Sequence, residues 1–300
     1  MKNNKLFFMA ALLGTVLAGC QKVSEIQNPE QNPNSENGWT LTVQVSKDAG
    51  TRALDYDGSA NTLHAYWAKG EKVDVYLVGG TKLGTLEVIT DDDVEPATIS
   101  GQISVEGVAA ESELMLVYPG GEDASWSYAG QEGIAPDEAF DYATATVSVA
   151  SLDATTQTVA ITPSTTGTKF ANEQSVYRFG FREDGNLLDV LSFIVASDEG
   201  KLVLNRAFGG DWTSEYGMLF VAPSSFTTDG RYFASIRNEN TTTTNRYTFS
   251  IVGENHVLYV GEKVINKALA NGKLYNATVN VEGFHTAPGE ETIDSADEVL

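Results

Sequence analysis

Cysteine is nearly missing from this sequence. Cys20 is the only one in 300 residues, so no internal disulfide, no CxxC redox pair and no cysteine-rich metal site can be built. Cations are scarce too. The chain has 19 Lys and Arg against 41 Asp and Glu, for a formal net charge of −22. Such a surface repels nucleic acid and anionic headgroups, and no nucleic-acid partner is expected. Histidine occurs three times, as His64, His256 and His285. None has a partner at metal-ligand spacing, and structural or surface roles are expected. HExxH, GxSxG, GxGxxG and P-loop patterns are absent. Beyond the N-terminus no apolar run reaches the roughly 18 residues of a membrane-spanning helix.

The N-terminus accounts for the lone cysteine. Lys2 and Lys5 give a positive start, and Phe7 to Leu17 form an apolar run too short to cross a bilayer. Ala18 and Gly19 then precede Cys20. This "LAGC" resembles a lipobox, the bacterial lipoprotein signal. The resemblance implies that residues 1–19 are a signal peptide, cut away before Cys20, and that Cys20 is acylated on its sulfur and new amine. Several acyl chains hold a protein firmly to a membrane, where one holds it marginally. Residues 20–38 follow as a polar tether rich in Asn, Gln and Glu, which cannot bury enough surface to order itself. About 18 residues reach at most about 60 Å.

The rest reads as all-β. In "WTLTVQV", Trp39, Leu41, Val43 and Val45 share one face, the period-2 signature of a half-buried strand. "KVDVYLV", "ATATVSVA", "SVYRFGF", "RYTFSIV" and "KLYNATVNV" repeat it. "LMLVY" and "LSFIVA" are continuously apolar and suit strands covered on both faces. "VGGTKLG", "EDGN" and "TTDGR" read as turns, with Gly supplying positive φ. "GEKVINKALANG", residues 261–272, fits a short helix or a strand and a loop. A small polar stretch, "TPSTTGT", divides residues 39–163 from 168–284, two units of ordinary domain size. Many short strands at this spacing suit sandwiches.

Chemistry is sparse. Asp91, Asp92, Asp93 and Glu95 form the densest acidic run. It matches no EF-hand and lacks that loop's Gly, so a solvated loop is expected and no metal or cofactor is implied. Two carboxylates suffice for a glycosidase, but no motif points to one, and the chain is not expected to be an enzyme. Among the tryptophans, Trp39 lies on an apolar face and reads as core. Trp126, in the loop-like "GGEDASWSYAG", is the candidate contact for a glycan or host protein, or a loop anchor.

"AGTRALDYDG", "YWAKGEKVDVYLV", "ELMLVYPGG" and "LANGKLYNATVNV" follow one another in this order. The series resembles the fimbrillin and fimbrillin-like lipoproteins. The matching residues are Thr51, Arg52, Trp67, Gly70, Glu71, Val73, Val75, Tyr76, Tyr118, Pro119, Gly272, Lys273, Tyr275, Thr278 and Val279. The resemblance implies two tandem transthyretin-like β-sandwich domains on an outer-membrane lipoprotein. It also implies cleavage by a trypsin-like protease, here between Arg52 and Ala53, that releases the lipidated segment with the "WTLTVQV" strand. Other pilus subunits then add a strand in its place, and main-chain hydrogen bonds supply the affinity. If Arg52 is an ordinary loop residue instead, Cys20 is a permanent anchor. Residues 285–300 are acidic with few large apolar side chains and read as a disordered tail, a poor strand donor. That favours a tip or accessory subunit, or an anchored module, over a stalk subunit.

Overall fold

The structure, a computed structural model, describes residues 38–47, 55–57, 62–64, 66–91, 96–121, 125–136, 138–164, 167–197, 203–207, 212–216, 218–227, 229–238 and 243–288. Cys20 and its flanks, Arg52, Ala53, Asp92, Asp93, Glu95 and residues 289–300 lie outside them. Regular structure among the described residues is β throughout, apart from one 3-10 turn at Glu138–Phe140.

The first half holds β1 (Trp39–Lys47), β2 (Asp55–Asp57), β3 (Thr62–His64), β4 (Lys72–Leu77), β5 (Thr81–Val88), β6 (Ala97–Ile103), β7 (Glu113–Tyr118), β8 (Ser125–Ser127), β9 (Ala143–Asp153), β10 (Thr158–Ile161) and β11 (Thr168–Asn172). Eight of these strands form one sheet in the order β10-β1-β11-β9-β7-β4-β5-β6. The sheet closes on itself, because β1 also pairs with β6. Inside lies a core of alternating apolar residues, with Leu41, Val73, Val75, Leu86, Leu114 and Leu116 fully buried. Trp67 sits among them, edge-on to Tyr118 at 5.6 Å and to Phe170 at 5.2 Å. β11 contributes Phe170, so this core takes in residues beyond "TPSTTGT". A smaller cluster of Tyr76, Val117, Tyr128, Phe140 and Tyr142 covers the outer face of β4 and β7. This is why "LMLVY" is apolar on both faces.

The second half holds β12 (Ser175–Glu183), β13 (Asn186–Leu187), β14 (Val190–Ser197), β15 (Val203–Ala207), β16 (Trp212–Tyr216), β17 (Met218–Val221), β18 (Arg231–Ile236), β19 (Asn245–Gly253), β20 (Val257–Ile265), β21 (Leu274–Asn280) and β22 (His285–Pro288). β12 is flanked by β18, antiparallel, and β21, parallel. The facing sheet runs β17-β14-β19-β20-β22. Aromatic rings fill the space between, with Phe179 edge-on to Phe193 and Phe249 at 5.9 and 5.6 Å. In "EDGN", Asp184 and Gly185 both have positive φ, 49° and 79°, the turn for which Asp-Gly is suited.

Two expectations change here, and one left open is resolved. Residues 261–272 take the strand-and-loop form, with β20 running to Ile265. In "LSFIVA" only the inner face is fully covered; Leu191 and Ile194 are half-buried. The segment after Phe284 begins as a strand and not as a tail. β22 pairs with β20 from Val260↔His285 to Val257↔Pro288, because antiparallel main-chain bonding needs no apolar side chains.

The two cores belong to one compact unit spanning residues 37–300, and a segment of the first half joins them. Gln131 reaches β18 through both ends of its amide. Its Nε2 donates to the Ser235 carbonyl at 2.8 Å and its Oε1 accepts from the Ser235 N–H at 2.6 Å. The Phe233 N–H donates to the Gly133 carbonyl at 2.7 Å, and Gln131 bridges in parallel to Val221 of β17. Residues 131–133 thus lie along the free edges of β17 and β18. Gly133 has φ 74°, and a Cβ there would stand 2.5 Å from a Val221 methyl.

Candidate functional site

The element that draws attention is β1, which closes the first sheet. Its alternation puts Leu41, Val43 and Val45 inward at 0–1% exposure, while Thr42 and Gln44 face solvent. Burying each such side chain is worth about 2 kcal/mol. Trp39, expected in the core, is half-buried and packs on the core's rim.

The two sides of β1 differ. Along β6 the pairing is antiparallel and unbroken from Trp39↔Ile103 to Val45↔Ala97. On the other side it is parallel and split. Thr40 and Leu41 pair with Thr158 and Val159 of β10, then Val45, Ser46 and Lys47 pair with Thr168, Lys169 and Phe170 of β11. The Thr40 N–H donates to the Gln157 carbonyl at 2.8 Å. Among the described residues Val43 has no registered partner on that side. Without β1, the edges of β6 and of β10 and β11 would face each other across an open apolar slot.

Side chains add a second layer of contact on the solvent face. The Thr42 and Ser100 hydroxyls are 2.8 Å apart, and Gln102 Nε2 donates to Thr40 Oγ1 at 2.8 Å. Gly101, opposite Leu41, can carry no side chain: a Cβ would lie 2.5 Å from the Thr85 carbonyl. Ser100 and Gln102 were not legible as site residues. Their strand, "ATISGQI", alternates, but Gly101 interrupts the apolar face and hides the period.

The resemblance motifs fall on structural positions. Trp67 is buried in the first core. Gly70, with φ 88°, turns the chain into β4, and Glu71 Oε2 accepts from the Ala68 N–H at 2.8 Å. Tyr118 and Pro119 are joined by a cis peptide. Gly272, with φ 74°, leads into β21, where Val279 is buried. Arg52 and Ala53 fall in the chain between β1 and β2, outside the described residues.

Trp126, expected in a loop, lies in strand β8. β8 pairs with β15, and register sets Trp126 opposite Arg206, which is itself opposite Trp212 of β16. The histidines are dispersed: His64 in β3, His256 in the left-handed turn before β20, His285 in β22. Asp91 makes an exposed ion pair with Lys69 at 2.9 Å. Among the described residues no three His, Cys, Asp or Glu side chains are grouped to hold a metal, and no helix is long and apolar enough to cross a membrane.

Comparison with known proteins gives no matching family model and no curated relative. Among solved structures, several are similar to this chain over most of its length. A candidate cell adhesion protein from Bacteroides uniformis is 14% identical, covering 86% of this chain and 97% of its own, with a TM-score of 0.44. A second, from Bacteroides ovatus, is 13% identical over 83% of this chain and 96% of its own, with a TM-score of 0.41. The tip fimbrial protein Mfa3 from Porphyromonas gingivalis is 9% identical, covering 78% of this chain and 84% of its own, with a TM-score of 0.37.

Proposed function

We propose that this chain is a fimbrial subunit of the accessory or tip kind that supports adhesion. It is exported as a lipoprotein through Cys20, moored at the outer membrane, cut between Arg52 and Ala53, and then joined by another pilus subunit whose strand replaces β1. The observation that carries the reading is the placement of β1. It is a buried, apolar-faced strand that closes the first sheet, and its connection to the rest of the chain passes through Arg52. The ordered sequence motifs support the same reading. On this reading the domains divide at the short link between β11 and β12.

The test is processing. Limited digestion with an arginine-specific protease is expected to give a new N-terminus at Ala53 and to release a lipid-bearing fragment containing Cys20. Arg52→Ala is expected to keep that fragment attached and to block joining to a partner subunit. Assembly by the Arg52→Ala protein would overturn the processing site.

A second reading is favoured by the register of β8. The register sets Trp126 opposite Arg206 and Arg206 opposite Trp212, residue types common at glycan and protein contacts. On it the chain stays lipid-anchored at the cell surface and binds without polymerising. Loss of cell binding by Trp126→Ala, with Arg52 left uncut, would select this reading over the first.

A further inference from the structure

We propose that the slot filled by β1 selects its occupant by the solvent-facing row as well as the buried one, and that the occupant is an uncharged strand of a different chain. This rests on the strand-replacement reading above. Three observations lead to it.

The first is the absence of charge. β6, β10 and residues 39–46 of β1 hold no Asp, Glu, Lys or Arg, in a chain that is 20% charged; on β11 the one charged residue is Lys169, registered opposite Ser46 at the far end of the slot. Exposed positions are included: Thr42, Gln44, Gln102 and Ala160 all face solvent. By contrast, exposed positions of β5 carry Lys82 and Glu87. The second is the ladder on that face. Thr42 meets the Ser100 hydroxyl and Thr40 accepts from Gln102, each at 2.8 Å. The protein side of both pairs, Ser100 and Gln102, stays behind when β1 leaves. It then offers a hydroxyl and an amide at alternate positions of the slot's rim. An incoming strand meets both if it has hydroxyl or amide side chains between its inward residues. Cross-strand pairs of this kind set partner preference.

The third observation excludes residues 290–300 as the occupant. The slot buries three alternate positions, now Leu41, Val43 and Val45. In "EETIDSADEVL" every set of three alternate residues includes at least one Asp or Glu. Any register would therefore bury a carboxylate among apolar side chains, which costs several kcal/mol or forces its protonation. The fitting partner is a strand with Leu- or Val-sized residues at three alternate positions and Thr, Ser, Gln or Asn between them.

The experiment uses protein cut after Arg52 and an excess of labelled peptide, read by fluorescence polarisation. Circular dichroism verifies that the cut protein stays folded. The peptides are residues 39–46, the same peptide with Thr40→Val and Thr42→Val, and residues 291–300. The valine peptide keeps the shape and the β propensity but loses both hydroxyls. It is expected to bind about tenfold more weakly than the native strand, from the loss of two side-chain pairs. In protein carrying Ser100→Ala and Gln102→Ala the two are expected to bind alike. The 291–300 peptide is expected not to bind. Equal binding of the threonine and valine peptides to unaltered protein would overturn selection by the outer row. Binding of the 291–300 peptide would overturn the exclusion. Folded protein that takes up no peptide, the native strand included, removes strand replacement itself and the selection with it.

Discussion

Leu41 shows how much a single side chain can carry here. It lies at 0% exposure between Gly101 of β6 and Val159 of β10. Gly101 cannot be enlarged, since the Thr85 carbonyl occupies the space a Cβ would need. The Leu41 side chain is therefore what fills this part of the slot, and its loss leaves a hole that its neighbours cannot close. Leu41→Ala is expected to cost about 3 kcal/mol, the transfer term plus the cavity. Thr42→Ala, on the opposite face of the same strand, is expected to cost under about 1 kcal/mol, the loss of one exposed pair with Ser100. Urea unfolding midpoints of the two variants check the contrast. Equal effects would mean that β1 does not present the two faces assigned to it. Lys82 and Asp74 form another local device: the Asp74 carboxylate is fully buried, pairs with Lys82 at 2.8 Å, and accepts from Thr85 Oγ1 at 2.6 Å. A buried charge held this way fixes the turn after β7, because Asp74 also accepts from the Gly121 N–H at 3.2 Å.

At the scale of elements, β1, β9, β19 and β21 were legible because each half-buried strand leaves a period of two in the sequence; β4 and β12 alternate in the sequence too, although both of their faces are largely covered. The closing role of β1 was not legible. Its parallel pairing with β10 and β11 joins residues more than a hundred positions apart, and no local pattern encodes that. β8 was hidden for a different reason: three residues, "SWS", are too few to show a period. β22 was hidden because an edge strand needs main-chain partners and not an apolar face. The segment at residues 131–133 is the clearest case. In sequence it is polar and glycine-containing, like a loop, yet the Gln131 amide imitates a peptide group toward Ser235. A buried amide so placed is costly to lose, since the Ser235 N–H and carbonyl would both be left without it. Gln131→Ala is expected to destabilise by about 2 to 4 kcal/mol, from two buried groups at the usual cost of each. It is also expected to separate one thermal transition into two, as the joint between the cores loosens. Calorimetry reads both effects. A single transition shifted by a few tenths of a kcal/mol would mean that this joint is not what couples the cores.

For the whole molecule, charge and tyrosine together set the limits of stability. The net charge of −22 means that raising the pH adds repulsion to a surface already acidic. The tyrosines add a sharper term. Tyr177, Tyr232, Tyr247 and Tyr259 in the second core, and Tyr128 in the small outer cluster, have their phenol pKa values raised, in each case chiefly by burial. Tyr128 is raised well above the ordinary value, with Glu173 adding to the effect. In the unfolded chain all five phenols ionise near pH 10. Above that pH the unfolded state binds fewer protons than the folded state, so stability falls as pH rises. Below it neither state ionises and the contribution is fully present. Each phenol that stays protonated in the fold steepens the decline by up to about 1.4 kcal/mol per pH unit. Melting temperature is therefore expected to be level from about pH 7 to 9 and to drop steeply beyond about pH 10. Tyr177→Phe separates this from general repulsion. It removes the hydrogen bond to Asn238 Oδ1 at 2.7 Å, so it is expected to melt lower at neutral pH. It also removes one ionisable phenol, so its decline above pH 10 is expected to be shallower than that of the unaltered chain. Parallel curves for the two proteins would mean that Tyr177 ionises as freely in the fold as in the open chain, and that the alkaline limit is set without it.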